Sequence, residues 1–297
     1  SSDWLFPPEQ QLEIVTALIG NRKEVSYFQI QSDLGHDAFL LEYPVLNKGV
    51  RSFLDGRLPR QAPASVDRLD LERISPMIPP GTHLLDIGSG DGGLMVALAR
   101  AKGVTGVCLD HEFSMVTACM QRGLSAIQLD ADSGMELLPD NAFDCILVNQ
   151  TIQQLRSALG ALRQLLRLAP TGVIGFPNFA YYEHRLSLAR DGRLPKSRSL
   201  PYEWYDSPNI HVVTIADFRD LCEHNHITIE AMEYISDTEL GQQLIAAGDP
   251  NLGAERAVVR IARGANLKLP KAGRQPPPPP PPDDDEEDEA TPQHDST

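Results

Sequence analysis

No stretch of this sequence approaches the roughly 18 uninterrupted apolar residues that a bilayer span requires, so no transmembrane helix is expected in its 297 residues. Positive charge is also scarce. Lys and Arg number 26 against 41 Asp and Glu, a net charge of −15, and nothing resembles the basic footprint of a nucleic-acid-binding face. Seven of those charges lie in the single run Asp283–Glu289, which leaves a mildly acidic body of −8. The four cysteines (Cys108, Cys119, Cys145 and Cys222) lack metal-ligand spacing, and Cys108 and Cys145 fall inside apolar, strand-like runs. Reduced core thiols in a cytoplasmic protein are therefore expected. No signal peptide is expected from the opening residues, and the first residue is Ser1 rather than Met, which hints at a fragment.

What is present begins at Leu84–Gly93, LLDIGSGDGG, followed at once by the helical run LMVALARA. An apolar strand runs into Asp86 and then Gly88, Gly90 and Gly92, residues that permit a tight strand-to-helix turn and close approach of a ligand to the main chain. The dinucleotide fingerprint is G-x-G-x-x-G, whereas this loop is D-x-G-x-G-x-G. It resembles the S-adenosyl-L-methionine (SAM) loop of class I methyltransferases. Such a ligand brings no pyrophosphate to neutralise, so Asp86 can meet its ammonium directly or through water. Gly106–Leu109 reads as the next strand, closed by Asp110 at about the distance where a Rossmann-type unit places its ribose-binding acid. A third strand, Ala126–Leu129, ends in Asp130, and a fourth, Phe143–Val148, ends in Asn149. On the pattern of related proteins Asp130 pairs with the adenine amino group and Ala131 lends main-chain contacts; the competing reading of Asp130 is a helix or turn cap. Ligands of open α/β sheets sit beyond the strand carboxyl ends, and four such ends in register point to SAM.

Four regions separate along the chain. Residues 1–56 carry helix and strand patterns, 57–65 form a Pro-containing polar linker, 66–265 alternate strand and helix, and 266–297 form a tail. The alternation implies a Rossmann-like α/β domain of the class I methyltransferase type, a seven-stranded mixed sheet with helices on both faces. In the tail, Pro276–Pro282 is a stiff spacer, and the acidic run cannot bury enough apolar surface to fold, so disorder is expected there.

In the first region Asp3 precedes a helical stretch, Glu9–Ile19, an alternating strand, Glu24–Ile30, and the loop SDLGHDAFLLE with His36. Acid, helix, strand and histidine occur in this order at the end of an α/β-hydrolase, where the acid orients the imidazole that deprotonates a serine. No G-x-S-x-G elbow exists in the chain. On the residues alone, Asp3 and His36 are either a triad pair or two ordinary loop residues. SSDWLFPPEQ and DLGHDAFLLE resemble the C-terminal end of homoserine O-acetyltransferases (the MetX family) over residues 1 to about 55. That resemblance implies Asp3 as the triad acid and His36 as the general base of acyl transfer from acyl-CoA to homoserine. The serine is missing, so this chain alone is not expected to catalyse that reaction. Severed from its own sheet, the segment is expected to order poorly or to pack opportunistically.

Residues from about 66 to 263 resemble a second family, the MetW methionine-biosynthesis proteins, through LDLERISPMIPPGTHLLDIGSGDGGL, VNQTIQQL, GFPNFAYYEHRLSLARDGRLP, LPYEWYDSPNIHVVTIADFRDLC and PNLGAERAV. MetW proteins are associated with MetX-type acyltransferases, so the resemblance implies an acyltransferase domain as partner in cis, with homoserine and acyl-CoA as its substrates. A linker keeps such partners near an effective concentration of about millimolar. Association with further copies of the same chain is left open. Methyl transfer needs an acceptor in line with the sulfonium and often a base. Candidates for that work are Asn149, Gln150, Tyr181, Tyr182, His184, Tyr202, Trp204, Tyr205 and His211. The aromatics of YEWYDSPNIH suit a cage over a methyl or amine group, a packed lid or a docking surface. His224 and His226 have no third ligand nearby, and no metal is expected.

Overall fold

The structure, a computed structural model, describes residues 7–32, 41–56 and 67–271. Asp3, His36, the expected linker and the Pro-rich and acidic part of the tail lie outside the described residues. In chain order the main elements are α1 (Pro8–Gly20), α2 (Tyr43–Gly56), α3 (Arg68–Ile74), β1 (His83–Ile87), α4 (Gly93–Lys102), β2 (Thr105–Asp110), α5 (Phe113–Gln121), β3 (Ser125–Gln128), α6 (Ala131–Gly134), β4 (Cys145–Asn149), α7 (Ala158–Leu168), β5 (Thr171–Pro177), α8 (Tyr182–Asp191), α9 (Ile215–His224), β6 (Ile227–Ile235), α10 (Glu239–Ala246), α11 (Pro250–Gly253) and β7 (Arg256–Arg263).

The strands form one sheet in the order β3-β2-β1-β4-β5-β7-β6. The first five are parallel, and β7 runs antiparallel between β5 and β6. This is the seven-stranded mixed sheet of the class I methyltransferase fold. Its central strands are apolar runs because both faces are covered. Leu85, Ile87, Val107, Leu109, Ile146 and Val148 pack on one face with Leu162 and Leu165 of α7 and Phe218 of α9. On the other face Leu84, Cys108, Leu147 and Val173 pack with Ile74 of α3, Met95 of α4 and Val116 of α5. Strand alternation then assigns Asp86, Asp110, Asn149 and Arg256 to the α3–α5 face. All four also lie at the carboxyl edge of the parallel strands, since Arg256 opens the reversed β7 opposite Pro177. The four cysteines are free and buried.

Residues 7–32 and 41–56 clasp the β3 edge from both sides. Val15 and Ile19 of α1 enter the α7–α9 core, worth about 1.5–3 kcal/mol for each side chain fully removed from water. Arg22 ion-pairs with Asp144 at 2.7 Å, and α2 packs on α5. The expected strand Glu24–Ile30 reduces to a single parallel bridge, Tyr27 to Ile127. Tyr27 N–H donates to Ala126 O at 2.9 Å, and Gln128 N–H to Tyr27 O at 2.8 Å. Side chains take the positions where a longer ladder would continue. Ser26 Oγ accepts from Ala126 N–H at 3.3 Å, and Gln128 Oε1 accepts from Gln29 N–H at 3.1 Å.

Arg167 of α7 is 2% exposed, yet its guanidinium is fully occupied. It donates to Leu138 O at 2.8 Å, Met135 O at 2.7 Å and Gln164 Oε1 at 2.7 Å, and it pairs with Asp140. Removing it leaves buried carbonyls without donors, whereas the Arg22–Asp144 pair is half-exposed and screened. Arg167→Met is expected to cost about 3 kcal/mol in denaturant unfolding, and Arg22→Met less than about 1 kcal/mol. Equal losses would contradict this.

Candidate functional site

The β1–α4 loop is pinned to the end of β2. Gly88 and Ser89 donate their N–H groups to Leu109 O at 2.9 and 3.2 Å. Gly90 N–H donates to Asp110 Oδ2 at 3.0 Å, and the Cys119 thiol donates to Gly90 O at 3.3 Å. Gly88, Gly90 and Gly92 all have positive φ, of 68°, 53° and 75°. Two of them show why the positions exclude side chains. A Cβ on Gly92 would meet Leu124 at 2.6 Å and Cys119 Sγ at 2.9 Å, and one on Gly88 would meet Thr151 at 2.3 Å. The space above Gly90 is open to 4 Å. Asp91, between them, accepts from Gly93 N–H at 3.0 Å and pairs with Arg122 at 2.6 Å, which ties the loop to the α5–β3 turn.

Asp86 and Asp110 come together beneath this loop. Asp110 is well supplied with donors, Gly90 N–H on Oδ2 and Glu112 N–H on Oδ1 at 2.9 Å. Asp86 is buried, and its pKa is raised to about 7, by loss of water first and by the Asp110 carboxylate second. Two carboxylates on one face, one of them deprived of solvent, make a site where a cation is favoured.

The other expected contacts are arranged differently. Asp130 is exposed and caps α6, accepting from Asp132 N–H at 2.9 Å and from Ser133 Oγ at 3.3 Å, with Ala131 as the first helical residue. Asn149 sits at the end of β4, but its amide Nδ2 donates to Asp70 Oδ2 at 3.0 Å. Its Oδ1 is buried without a partner against the bare backbone of Gly175, where a Cβ would stand 2.1 Å away. Asp70, from α3, also receives Arg256 Nη1 at 2.6 Å, and Arg256 reaches Asp67 at 2.8 Å. Burial pushes the Asp70 carboxyl up, against the pull of Arg256. This clamp was not legible in the sequence. Asp70 and Arg256 are 186 residues apart, and the only signals were a charged residue at a core position of a short helix and another at the start of an apolar strand.

The segment between β5 and α9 forms a lid fixed from below. Asn178, fully buried, donates to Asn251 O and Ala254 O at 2.9 and 2.7 Å and accepts from Ala180 and Ile215 N–H. His184 is buried between Asn178 O at 3.2 Å and Ser197 Oγ at 3.0 Å, and loss of water lowers its pKa. Arg198 bridges to Asp67 and Asp237. Ile210 and His211 both donate N–H to Gln153 O at 3.0 Å. Tyr181 is buried on Thr238, its hydroxyl pushed up to about 12 by burial. Of the three readings of the YEWYDSPNIH aromatics, a cage does not form from Trp204 and Tyr205, which face solvent. Trp204 and Tyr205 are 75% and 71% exposed and meet edge to face at 5.6 Å, whereas Tyr181 of the same segment is buried. At the corner after β4, Gln150 has φ 57°, and its carbonyl accepts from Gln153 and Gln154 side chains at 2.9 and 3.0 Å.

Among known proteins, the bifunctional methionine biosynthesis protein MetXA/MetW of Rhodopirellula baltica is 35% identical over 278 residues, which is 89% of this chain and 44% of that protein. The chain thus spans less than half the length of that relative. Shorter segments are similar to a homoserine O-acetyltransferase of Trichlorobacter lovleyi (56% identical over 59 residues, 20% of this chain and 16% of that protein) and a homoserine O-succinyltransferase of Alkalilimnicola ehrlichii (48% over 56 residues, 19% and 15%). A solved S-adenosylmethionine dependent methyltransferase from Mesorhizobium loti superposes with a TM-score of 0.48 at 18% identity, covering 65% of this chain and 97% of that one. No described helix is long and apolar enough to cross a membrane. The profile of the methionine biosynthesis protein MetW family matches residues 68–261, and the chain belongs to that family.

Proposed function

We propose that the loop Gly88–Gly92 and the carboxylates beside it bind SAM, and that this domain supports or regulates acyl transfer from acyl-CoA to homoserine in a longer, bifunctional protein. The observation that carries the reading is the Asp86–Asp110 pair. The donor set fits such a ligand. Asp86, raised to about 7 by burial and Asp110, lacks a counter-charge that an ammonium would supply. Asp110 stands at the ribose position of a Rossmann-type unit, and the open space over Gly90 admits a ligand to the main chain. Asp86 would hold the ammonium, Asp110 the ribose hydroxyls, and Asp130 with Ala131 the adenine; Gly88, Gly90 and Gly92 would shape the main chain around it. Asn149, engaged by Asp70, would line the site through its backbone. When bound, SAM supplies an electrophilic methyl group or, in a sensing role, the pathway's downstream product as a signal.

Binding is favoured over methyl transfer by the chemistry of the corner after β4. The amide nitrogens of Asn149, Gln153 and Gln154 donate to the protein itself, and His184 and Tyr181 are buried in bonds of their own. A general base must reach its proton by a hydrogen bond or one water, and these groups face away from that task. The outlying Asp3 and His36 would be the acid and base of the acyltransferase half, and residues 57–65 its linker to this domain.

Titration calorimetry with SAM tests the site. Without ligand Asp86 holds its proton below pH about 7, and the bound ammonium requires the carboxylate, so binding releases that proton. Affinity is then expected to rise roughly eightfold from pH 6 to pH 7.5. Asp86→Asn should flatten that dependence and weaken binding at pH 7.5 by about tenfold or more. A wild-type affinity independent of pH would refute the assignment of Asp86. In the longer protein, acyltransferase rates with and without saturating SAM test regulation, because a ligand shifts an equilibrium only by binding its two states unequally. A rate change is expected; identical rates would remove the regulatory role.

A further inference from the structure

The turn that joins β2 to α5, Asp110–Phe113, is held on two sides at once. On its inner side Asp110 faces the glycine loop, receiving Gly90 N–H at 3.0 Å and Glu112 N–H at 2.9 Å. On its outer side the next residues are gripped by the N-terminal segment. Gln128 Nε2 donates to His111 O at 3.1 Å, while the same side chain's Oε1 accepts Gln29 N–H at 3.1 Å. One amide therefore joins the turn to the segment. The ring of Phe113 meets that of Phe28 at 5.3 Å, and Lys48 lies over Phe113 with Nζ 5.5 Å from its centroid. Gly49 lets α2 close on Phe28, since any Cβ there would stand 2.2 Å from the ring. Gln121 Nε2 donates to Ser52 Oγ at 3.0 Å along the same contact.

We propose that occupancy of the Asp86–Asp110 site and docking of residues 25–32 and 41–56 are thermodynamically linked through this turn. The inference rests on the SAM reading of that site. A ligand that bonds Asp110 holds the turn in the geometry that Phe28, Gln29 and Lys48 recognise, and the docked segment holds Asp110 in the geometry the ligand recognises. The effect is reciprocal by necessity, since each binding event changes the other by the same factor. The shared element is named and contiguous: Asp110 to Phe113, with Gln128 as the bridge. In sequence, residue 32 is followed directly by the segment that carries His36, so the docked residues 25–32 are the connection by which the SAM site would bias the acyltransferase-like end of the chain. The α1 half of the segment, packed on the opposite face through Val15 and Ile19, takes no part.

The test uses the full chain. SAM affinity is measured by calorimetry for the wild type, Phe28→Ala, Gly49→Leu and, as a control that loosens α1 on the far face, Val15→Ala. Hydrogen exchange of residues 25–30 and 43–56 is followed in the wild type with and without SAM. Linkage requires SAM to slow exchange in both stretches, Phe28→Ala and Gly49→Leu to weaken SAM binding about fivefold or more, and Val15→Ala to leave it unchanged. Suppose the wild type binds SAM but exchange in 25–30 and 43–56 is indifferent to it, and the two variants bind normally although their 43–56 stretch is released. The linkage is then wrong and the site survives. A wild type that does not bind SAM overturns the site and the linkage together, and the exchange experiment needs no variant to fold.

Discussion

Two carboxylates on one face of neighbouring parallel strands, the inner one cut off from water, form the constraint on which the rest of this structure turns. A parallel sheet delivers all its strand carboxyl ends to one edge, and strand alternation turns Asp86 and Asp110 to the same side. The glycine loop then folds over them. It gives its free N–H at Gly90 to Asp110, while loss of water and the neighbouring Asp110 carboxylate raise Asp86 to about 7. A polar site that is satisfied on one side and wanting a cation on the other has the electrostatics that the proposed ligand's ammonium would complement.

The far half of the same edge shows the opposite condition. Asp70, Asp67, Arg256 and Arg198 balance one another in a mixed chain of ion pairs, and Asn178 and His184 have partners for their polar atoms. These groups have the side-chain chemistry of an active site, but they work as fasteners, joining α3, the start of β7 and the lid. Among the described residues of this edge, Asp86 is thus the carboxyl that burial and a neighbouring carboxylate raise to about 7, whereas Asp70 is paired with Arg256.

Much of this was legible in the sequence for a specific reason. Buried parallel strands are continuous apolar runs, so LLDI, GVCL and FDCILV announce themselves, and the acids that end them are conspicuous because they interrupt those runs. Register between strands follows from the fold class, which placed Asp86 beside Asp110. What failed to show was anything that depends on a partner remote in the chain. The Asp70–Arg256 pair spans the whole domain. The alternation of Glu24–Ile30 correctly marks an extended segment, yet its neighbour β3 is only four residues long, and side chains at Ser26 and Gln128 replace the ladder. The aromatics of YEWYDSPNIH left a cage, a packed lid and a docking surface open, because composition carries no direction; Trp204 and Tyr205 are exposed in the structure.

The N-terminal segment completes the picture by covering the β3 edge, which would otherwise expose unpaired backbone groups, and by gripping the turn that carries Asp110. Whether that site is a cation-seeking adenosyl pocket is tested most directly by carbon-detected NMR of the aspartate carboxyls, titrated with and without S-adenosylhomocysteine. The expected result is a resonance assigned to Asp86 that titrates near pH 7 in the free protein and moves down into the ordinary carboxylate range when the ligand is bound. An Asp86 that titrates as an ordinary aspartate in the free protein, or that ignores the ligand, would contradict the account.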